Sequence, residues 1–427
     1  MPKKTLPARL KGIALLQQLG PGLITGAADD DPSGIATYSQ GGAQFGFNLL
    51  WTLLLTFPLM VAIQMVSALI GRVTGHGLAR NMAAVMPGWL VTALVSLLFL
   101  ANMVNVGADL AAMGEAANLV AGLNEHACTI FFALFSLTLQ LFIPYRRYAR
   151  ILMVLTFSLF AYVAVLFTLK LDWPAIGAGL IGLHPNLTES AATTIVAIFG
   201  TTISPYLFFW QSAQEVEEVD QQPNEHPLID KPAEAPAALS RIRLDTISGM
   251  LASNLIALTI MISTALTLNR QGVTDIQTAA QAAKALEPVA GHFAFALFSL
   301  GIIGTGLLAI PVLAGSAGYA IAESRGWKTG LDNMPWQARS FYAVIGAAIL
   351  LGLGIDWSPI DPIKALYWSA VLNGVIAVPM MVAMMVVAGN KKKMGKFTAG
   401  PVLSTLGWLS AAVMAAATLT MLYVNLK

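Results

Sequence analysis

Charge and cysteine are both scarce in this sequence of 427 residues. Asp, Glu, Lys and Arg make up 11% of it, about half the ~25% that is usual in soluble proteins. The single cysteine, Cys128, excludes an intramolecular disulfide, so cysteine usage says little about the compartment. The lack of charge argues against an ordinary soluble domain. A hydrophobic content of 56% and a mean hydropathy of +0.70 indicate a protein that spans a membrane.

Other features that are missing narrow the function class. No Gly-x-x-x-x-Gly-Lys-Ser/Thr loop is present, which argues against an ATP-driven pump. The longest hydrophilic segment, residues 215–243, is too short for a nucleotide-binding domain. We therefore expect neither an enzyme nor a bound cofactor, and neither a nucleic acid nor an obligate protein partner. A histidine metal cluster is not expected, because the five histidines fall in loops or at the ends of apolar segments: His76, His126, His184, His226 and His292.

Eleven segments are long and apolar enough to cross the hydrocarbon core as helices, which takes ~20 residues each. With the N-terminus placed in the cytoplasm, all but five of the 24 Lys and Arg residues fall on the cytoplasmic side, as the positive-inside rule requires. We therefore predict a multi-pass protein of the cell membrane with a cytoplasmic N-terminus and an extracytoplasmic C-terminus. The predicted spans lie near residues 21–45, 48–71, 89–121, 126–144, 151–169, 190–214, 246–268, 291–321, 340–355, 362–388 and 402–425.

Two of these spans contain sequences that break a helix. The first holds DDDPSG at 29–34, and the sixth holds GTTISPY at 200–206. Proline inside a helix removes a hydrogen bond, and exposed peptide groups are not tolerated in lipid, so both breaks should face a cavity within the protein. Pro32 and Pro205 each lie in the first span of a block of five. Interrupted helices at matching positions are typical of inverted-repeat transporters with a site near the bilayer midplane.

The predicted organisation follows from these blocks. It is an all-α membrane protein with two antiparallel five-helix repeats, discontinuous helices 1 and 6, and an additional eleventh helix. Residues 1–20 would form a cytoplasmic N-terminal segment, 21–170 the first repeat, 190–388 the second repeat and 402–425 the eleventh helix.

Three aspartates at the first break indicate the kind of solute. An acid at membrane depth is expensive and is a functional candidate by default. Asp29, Asp30 and Asp31, together with freed backbone carbonyls, favour a cation site over an anion site. An amino-acid symporter on the same fold stays open as an alternative, although these acids would repel a substrate carboxylate. A passive cation channel also stays open, although it would need a continuous pore.

Several stretches resemble the NRAMP divalent-metal transporters. GPGLITGAADDDPSGIATYSQ resembles their first helix, QMVSALIGRVTGHGLARNM the end of the second, and NVGADLAAMGEA the third. FGTTISPYLFFWQSA occupies the place of the sixth-helix segment, and the resemblance covers essentially the whole chain. It implies a LeuT-type 5+5 inverted repeat that carries a divalent metal ion through a lipid bilayer by alternating access.

The departures from the family pattern concern the metal ligands. By resemblance, Asp31 keeps the metal-binding aspartate, Gly34 replaces an asparagine, and Ser204 replaces a methionine. Thr201 stands where an alanine supplies a carbonyl. Losing the soft thioether leaves oxygen donors, with Asp29 and Asp30 as further candidates, and such a site suits partly hydrated Mg²⁺. The pattern resembles the NRAMP-related magnesium transporters, and Mn²⁺ is also expected to pass.

The residues that would carry protons are also depleted. By resemblance, Tyr206 and Gln211 replace histidines, and Asn102 and Ala112 replace glutamates, while Asp109 keeps its carboxylate. Histidines and carboxylates are the groups that carry protons near neutral pH. We therefore expect transport without proton coupling. The alternative is an ordinary proton-coupled Mn²⁺ or Fe²⁺ transporter of this family.

Two helical faces carry further polar residues. Asn102, Asn105 and Asp109 share one face, either as a polar stripe between helices or as a water-lined path. Ser204, Gln211 and Glu215 share another, for which a solvated helix end is the favoured interpretation. The alternative is a cytosolic exit with an acidic mouth made of Glu215, Glu217 and Glu218. The remaining polar candidates have weaker assignments: Gly374 replaces a family glutamine, and Glu115 is interpreted as a packing acid.

Overall fold

The computed structural model describes residues 25–26, 28–182, 188–222, 225–331 and 333–427. The predicted N-terminal segment, residues 1–20, lies outside the described residues, as does the predicted beginning of the first span. Nine helical segments in the described ranges are long and apolar enough to cross a membrane.

The described part of the chain is built from helices that we number in order. They are α1 (Pro32–Phe45), α2 (Leu50–Thr74), α3 (Leu78–Ala83), α4 (Gly88–Ala121), α5 (Glu125–Phe142), α6 (Tyr145–Thr156), α7 (Phe160–Thr168), α8 (Trp173–Ile181), α9 (Glu189–Thr202), α10 (Pro205–Gln221), α11 (Ala235–Thr267), α12 (Ala279–Ala283), α13 (Glu287–Ala290), α14 (Ala294–Ser324), α15 (Arg339–Gly352), α16 (Pro362–Ala388), α17 (Lys391–Met394) and α18 (Pro401–Asn425).

Every one of the eleven predicted spans overlaps a helix in this set. The tenth matches α16 at both ends, and the eleventh differs from α18 by one residue at its start. The fifth is made of α6 and α7, which a short 3₁₀ turn at Phe157–Leu159 separates. The short helices α3, α8, α12, α13 and α17 lie between spans, where hydropathy gave no signal.

The hydrophilic segment 215–243 lies between the predicted spans 190–214 and 246–268, but most of it is helical in the structure. α10 continues to Gln221, and α11 begins at Ala235. Both helices extend past their apolar windows because charges on one pair with charges on the other. Arg241 of α11 lies 2.6 Å from Glu215 and 3.5 Å from Glu218 of α10. Paired charges let polar residues stay helical at low free-energy cost.

The two predicted breaks are real, and both have the same construction. Asp31 and Ser204 have extended backbones at the N-caps of α1 and α10, and Pro32 and Pro205 occupy the first helical positions. Proline suits this position because a backbone N–H there would have no acceptor within the helix, so nothing is lost by lacking it. Helical residues also precede each break: 28–29 before α1, and α9 before α10.

Glycines allow the helices around the breaks to approach closely. A Cβ on Gly26 would collide with the backbone of Gly249 in α11. A Cβ on Gly374 in α16 would lie 2.6 Å from the carbonyl oxygen of Val196 in α9, and Gly200 faces Gly374 across the same crossing. The helix segments before both breaks are thus held tightly against α11 and α16, which fixes the position of the residues at the breaks.

Candidate metal site

Asp31 is the centre of a buried polar network at the first break. Its Oδ1 accepts hydrogen bonds from the Ser33 hydroxyl at 2.6 Å and from the Gly34 N–H at 2.8 Å. Its Oδ2 accepts from Tyr206 at 3.1 Å and from Asn105 at 3.3 Å. A carboxylate has about four lone-pair sites, so these donors fill all of them. A cation can therefore bind this carboxylate only if it displaces one of these donors or interacts with the same lone-pair region as one of them.

Amide side chains extend the network from Asp31 across α4 and α16. Asn105 Nδ2 lies 3.3 Å from Asp31 Oδ2 and 3.3 Å from Asp109 Oδ2. Asn373 Nδ2 donates to Asn105 Oδ1 at 3.2 Å. Asp109 Oδ1 and Asn373 Oδ1 are buried and have no hydrogen-bond partner. These two oxygens are therefore free to accept from a hydrated ion.

The residues predicted at the two breaks are brought together. A Cβ on Gly34 would lie 3.2 Å from the Thr201 hydroxyl, so α1 and the end of α9 touch at the site. The Ser204 hydroxyl donates within its own segment, 2.8 Å from the Gly200 carbonyl and 2.9 Å from that of Thr201. The Ser204 hydroxyl thus satisfies carbonyl groups at the end of α9, and only the lone pairs of its oxygen remain for an ion.

Asp29 and Asp30 face a different helix from Asp31. The Ser253 hydroxyl of α11 lies 2.6 Å from Asp29 Oδ2 and 3.0 Å from Asp30 Oδ1. All three aspartates are buried, with exposures of 0%, 6% and 1% along the chain. The triplet therefore points in two directions, with Asp31 turned towards α4 and α10.

Sequence reasoning missed three members of this region. Asn373 was not assigned a role, and Tyr206 was considered only as the replacement of a histidine. Ser253 was not considered, although its spacing from Asp245 and Gly249 places the three on one face of α11. That polar and small face was the available signal.

The predicted polar stripe of α4 divides in the structure. Asn105 and Asp109 face Asp31, whereas Asn102 Nδ2 donates to the Leu313 carbonyl and the Ser316 hydroxyl of α14, both at 2.8 Å. Asn102 is therefore a packing contact. Glu115 accepts from the Ala279 N–H at 2.8 Å, as expected of a packing acid. Gly374 lies at the helix crossing with α9, where no glutamine side chain would fit.

Glu215 is not at a solvated helix end, so the favoured interpretation of that face was wrong. Its side chain is fully buried and pairs with Arg241 at 2.6 Å. Gln211 links this ion pair to the helical residues that precede the first break. Thr25 donates to Gln211 Oε1 at 2.6 Å, and Gln211 Nε2 lies 3.3 Å from Glu215 Oε1. Glu217 points elsewhere and accepts from Tyr319 and from the Leu331 N–H. The alternative interpretation, an open acidic exit, does not fit Glu215 either, because Glu215 lies in a closed, charge-paired contact.

The chemistry available at the Asp31 network is that of oxygen donors. Carboxylate, amide, hydroxyl and carbonyl oxygens surround the breaks, and Ser204 and Tyr206 bring no soft atom. Across the ranges that the structure describes, no group of three or more His, Cys, Asp or Glu residues is arranged to hold a metal. The carboxylates of Asp31 and Asp109 together with neutral oxygens suit a hard cation that keeps part of its water shell.

Comparison with protein families gives a match over nearly the whole chain. Residues 22–424 match the family described as natural resistance-associated macrophage protein-like. Two curated relatives are both called divalent metal cation transporter MntH. The one from Caldanaerobacter subterraneus subsp. tengcongensis is 25% identical over 429 residues, covering 96% of this chain and 94% of the relative. The one from Yersinia enterocolitica is 26% identical over 420 residues, covering 96% and 95%.

Solved structures share the fold. A manganese transporter from Eremococcus coleocola superposes with a TM-score of 0.74 at 18% identity, covering 97% of this chain and 88% of that one. Mhp1, a nucleobase-cation-symport-1 family transporter, superposes with a TM-score of 0.59 at 12% identity, covering 95% and 92%. These matches confirm the predicted LeuT-type architecture.

Proposed function

This chain belongs to the natural resistance-associated macrophage protein-like family, and we propose that it carries divalent metal cations across the membrane by alternating access. The observation that carries the proposal is the buried Asp31 carboxylate at the break of α1, facing the break between α9 and α10. Broken helices that meet at a buried acid make a binding point for a cation without an open pore. The curated relatives are named as transporters, in line with the expectation of a transporter and not an enzyme.

The donor set supports Mg²⁺ as a substrate, with Mn²⁺ also accepted. Ser204 and Tyr206 replace the softer groups that resemblance to the family implies, and an all-oxygen site does not discriminate against hard cations. The names of the relatives favour Mn²⁺, since one solved neighbour is a manganese transporter and none of the names given above includes magnesium. We therefore propose that the protein transports both Mg²⁺ and Mn²⁺.

A proton-coupled Mn²⁺ transporter is the second candidate function. The hydrogen bonds through Asn105 connect Asp31 to Asp109, so one carboxylate lies within reach of the metal ligand. Against coupling, Tyr206 and Gln211 are engaged as neutral hydrogen-bonding groups and not as histidines. A divalent ion entering a negative cell gains about 4.6 kcal/mol per 100 mV, twice the value for one charge. The membrane potential therefore suffices to drive uptake.

Flux into proteoliposomes tests the proposal. Wild-type protein should give saturable uptake of Mn²⁺ and of Mg²⁺, and Asp31→Ala should reduce both at least about a hundredfold while the protein stays monodisperse. Glu115→Ala is the matched acid control, because Glu115 accepts a hydrogen bond from the Ala279 N–H and not from a residue of the Asp31 network. Absence of any divalent flux in the wild type would reject the function. Wild-type flux in Asp31→Ala would reject the site.

A further inference from the structure

Two buried carboxylates beside the Asp31 network share a single hydrogen-bond donor. Ser253 Oγ lies within hydrogen-bond distance of Asp29 Oδ2 and of Asp30 Oδ1, at 2.6 and 3.0 Å. A hydroxyl has one proton and can donate to only one of them at a time. One of the two carboxylates therefore always lacks the Ser253 hydrogen bond.

The second oxygen of Asp29 is not satisfied by any group of the protein that the structure describes. Asp29 is completely buried, and its Oδ1 has no hydrogen-bond partner. Within the described ranges, no Lys, Arg or His pairs with Asp29 or Asp30. Burying a carboxylate without a countercharge is unfavourable, so this arrangement favours a bound cation. Three oxygens, from Asp29, Asp30 and Ser253, are available to it.

This place is separate from the Asp31 carboxylate in its partners. Asp31 is satisfied by Asn105 of α4 and Tyr206 of α10, whereas Asp29 and Asp30 turn to α11. The backbone contact between Gly26 and Gly249 holds that face of α11 against the helical residues before the break. The two sets of ligands therefore contact different helices at one break.

We propose that Asp29, Asp30 and Ser253 form a second cation station on the same transport route, which binds a partly hydrated divalent cation in alternation with Asp31. The proposal rests on the function proposed above. Two divalent ions so close together would repel each other strongly in a low-dielectric interior, so the stations are occupied one at a time. Carboxylate and hydroxyl oxygens are suited to Mg²⁺ or Mn²⁺ that keeps several waters. When the ion leaves Asp31, the oxygens of this station are the next ligands that bind it.

Binding of Mn²⁺ to the purified full-length protein, followed by electron paramagnetic resonance, tests the station without transport. In an Asp31→Ala background, we expect residual Mn²⁺ binding that Mg²⁺ displaces. Adding Ser253→Ala should weaken that residual binding at least tenfold. Adding Ser263→Ala should leave it unchanged, because this hydroxyl of the same helix donates to the Tyr162 carbonyl instead. Asp31→Asn provides a second background if the alanine variant is not monodisperse.

The outcomes separate this proposal from the proposed function. Wild-type metal flux together with no residual binding in either Asp31 background would overturn the station and leave the function standing. Residual binding that Ser253→Ala does not weaken would also overturn it. Failure of the wild type to carry any divalent metal would overturn the function, whatever the binding result. In transport, the pair Asp29→Asn and Asp30→Asn should lower the maximal rate at least tenfold, and an unchanged rate would count against the station.

Discussion

The Tyr206 hydroxyl donates to Asp31 Oδ2 over 3.1 Å, joining the start of α10 to the cap of α1. Asp31 is saturated by four donors, and among them Tyr206 is the one that belongs to the opposite broken helix. An incoming cation competes with this hydroxyl for the carboxylate. The hydrogen bond therefore links the occupancy of the site to the contact between the two broken helices.

Tyr206→Phe should raise the apparent affinity for the metal. Removing the hydroxyl frees one lone-pair region of Asp31, and a hydrogen bond to a charged group contributes about 1.5–3 kcal/mol, so KM for Mn²⁺ should fall by roughly tenfold or more. Initial uptake rates over a range of metal concentrations measure this. A higher KM in Tyr206→Phe would mean that the hydroxyl assists the ion and does not compete with it. Tyr342→Phe is a control tyrosine, since its hydroxyl contacts the Asn333 carbonyl at 2.8 Å, away from the breaks.

Gly374→Ala should destabilise the protein although it adds one methyl group. The new Cβ would lie 2.6 Å from the Val196 carbonyl oxygen, so α16 and α9 must move apart, at a cost of about 1–3 kcal/mol. The apparent Tm in detergent should fall by several degrees. Gly346→Ala in α15 is the matched control, because no atom lies within 4 Å of its added Cβ. Equal Tm values for the two variants would contradict the close helix crossing.

Arg241→Ala should be more harmful than loss of the whole ion pair. It leaves the buried Glu215 without a countercharge, for which about 3–5 kcal/mol is expected. The double variant Glu215→Gln, Arg241→Gln should recover most of that stability. Thermal unfolding of both, with the exposed Arg243→Ala as control, measures the difference. Equal destabilisation by the single and the double variant would show that the buried charge is not the cause.

Metal uptake should proceed without proton movement. Tyr206, Gln211 and Asn102 do not cycle protons near neutral pH, and Asp109 alone makes an incomplete relay. A pH-sensitive dye inside liposomes, with the potential clamped, should show no acidification during Mg²⁺ or Mn²⁺ uptake. Acidification that tracks the metal flux would support the proton-coupled alternative and assign the carrier to Asp109 or to the aspartates at the first break.

Much of the architecture was predictable because lipid restricts what a chain can do. Eleven apolar stretches and two prolines at matching places led to the spans and the breaks, and the acids beside one break made Asp31 a candidate ligand for a cation. The extended ends of α10 and α11 were not predictable from hydropathy. They depend on the pairing of Arg241 with Glu215, which are 26 residues apart in the chain.

The structure brings Asp31, Gly34 and Thr201 together, as the sequence predicted, while their role as metal ligands stays a prediction. The sequence suggested a face of α4, but it could not show that Asn105 turns to Asp31 and Asn102 to α14. Ser253 lies 222 positions after Asp31, and its contact with Asp29 arises only from tertiary packing. The membrane orientation, which was inferred from the positions of Lys and Arg, remains a prediction. The boundaries of the two repeats also remain predictions.

Competition between Mg²⁺ and Mn²⁺ tests the central claim most directly. In proteoliposomes that contain the wild-type protein, Mg²⁺ outside the vesicles should inhibit Mn²⁺ uptake in a saturable way, with an inhibition constant close to the KM measured for Mg²⁺ uptake itself. In Asp31→Ala, the uptake of Mg²⁺ and its inhibition of Mn²⁺ uptake should both disappear. Mn²⁺ uptake that excess Mg²⁺ does not inhibit, with no Mg²⁺ flux, would contradict an oxygen-donor site open to hard divalent cations.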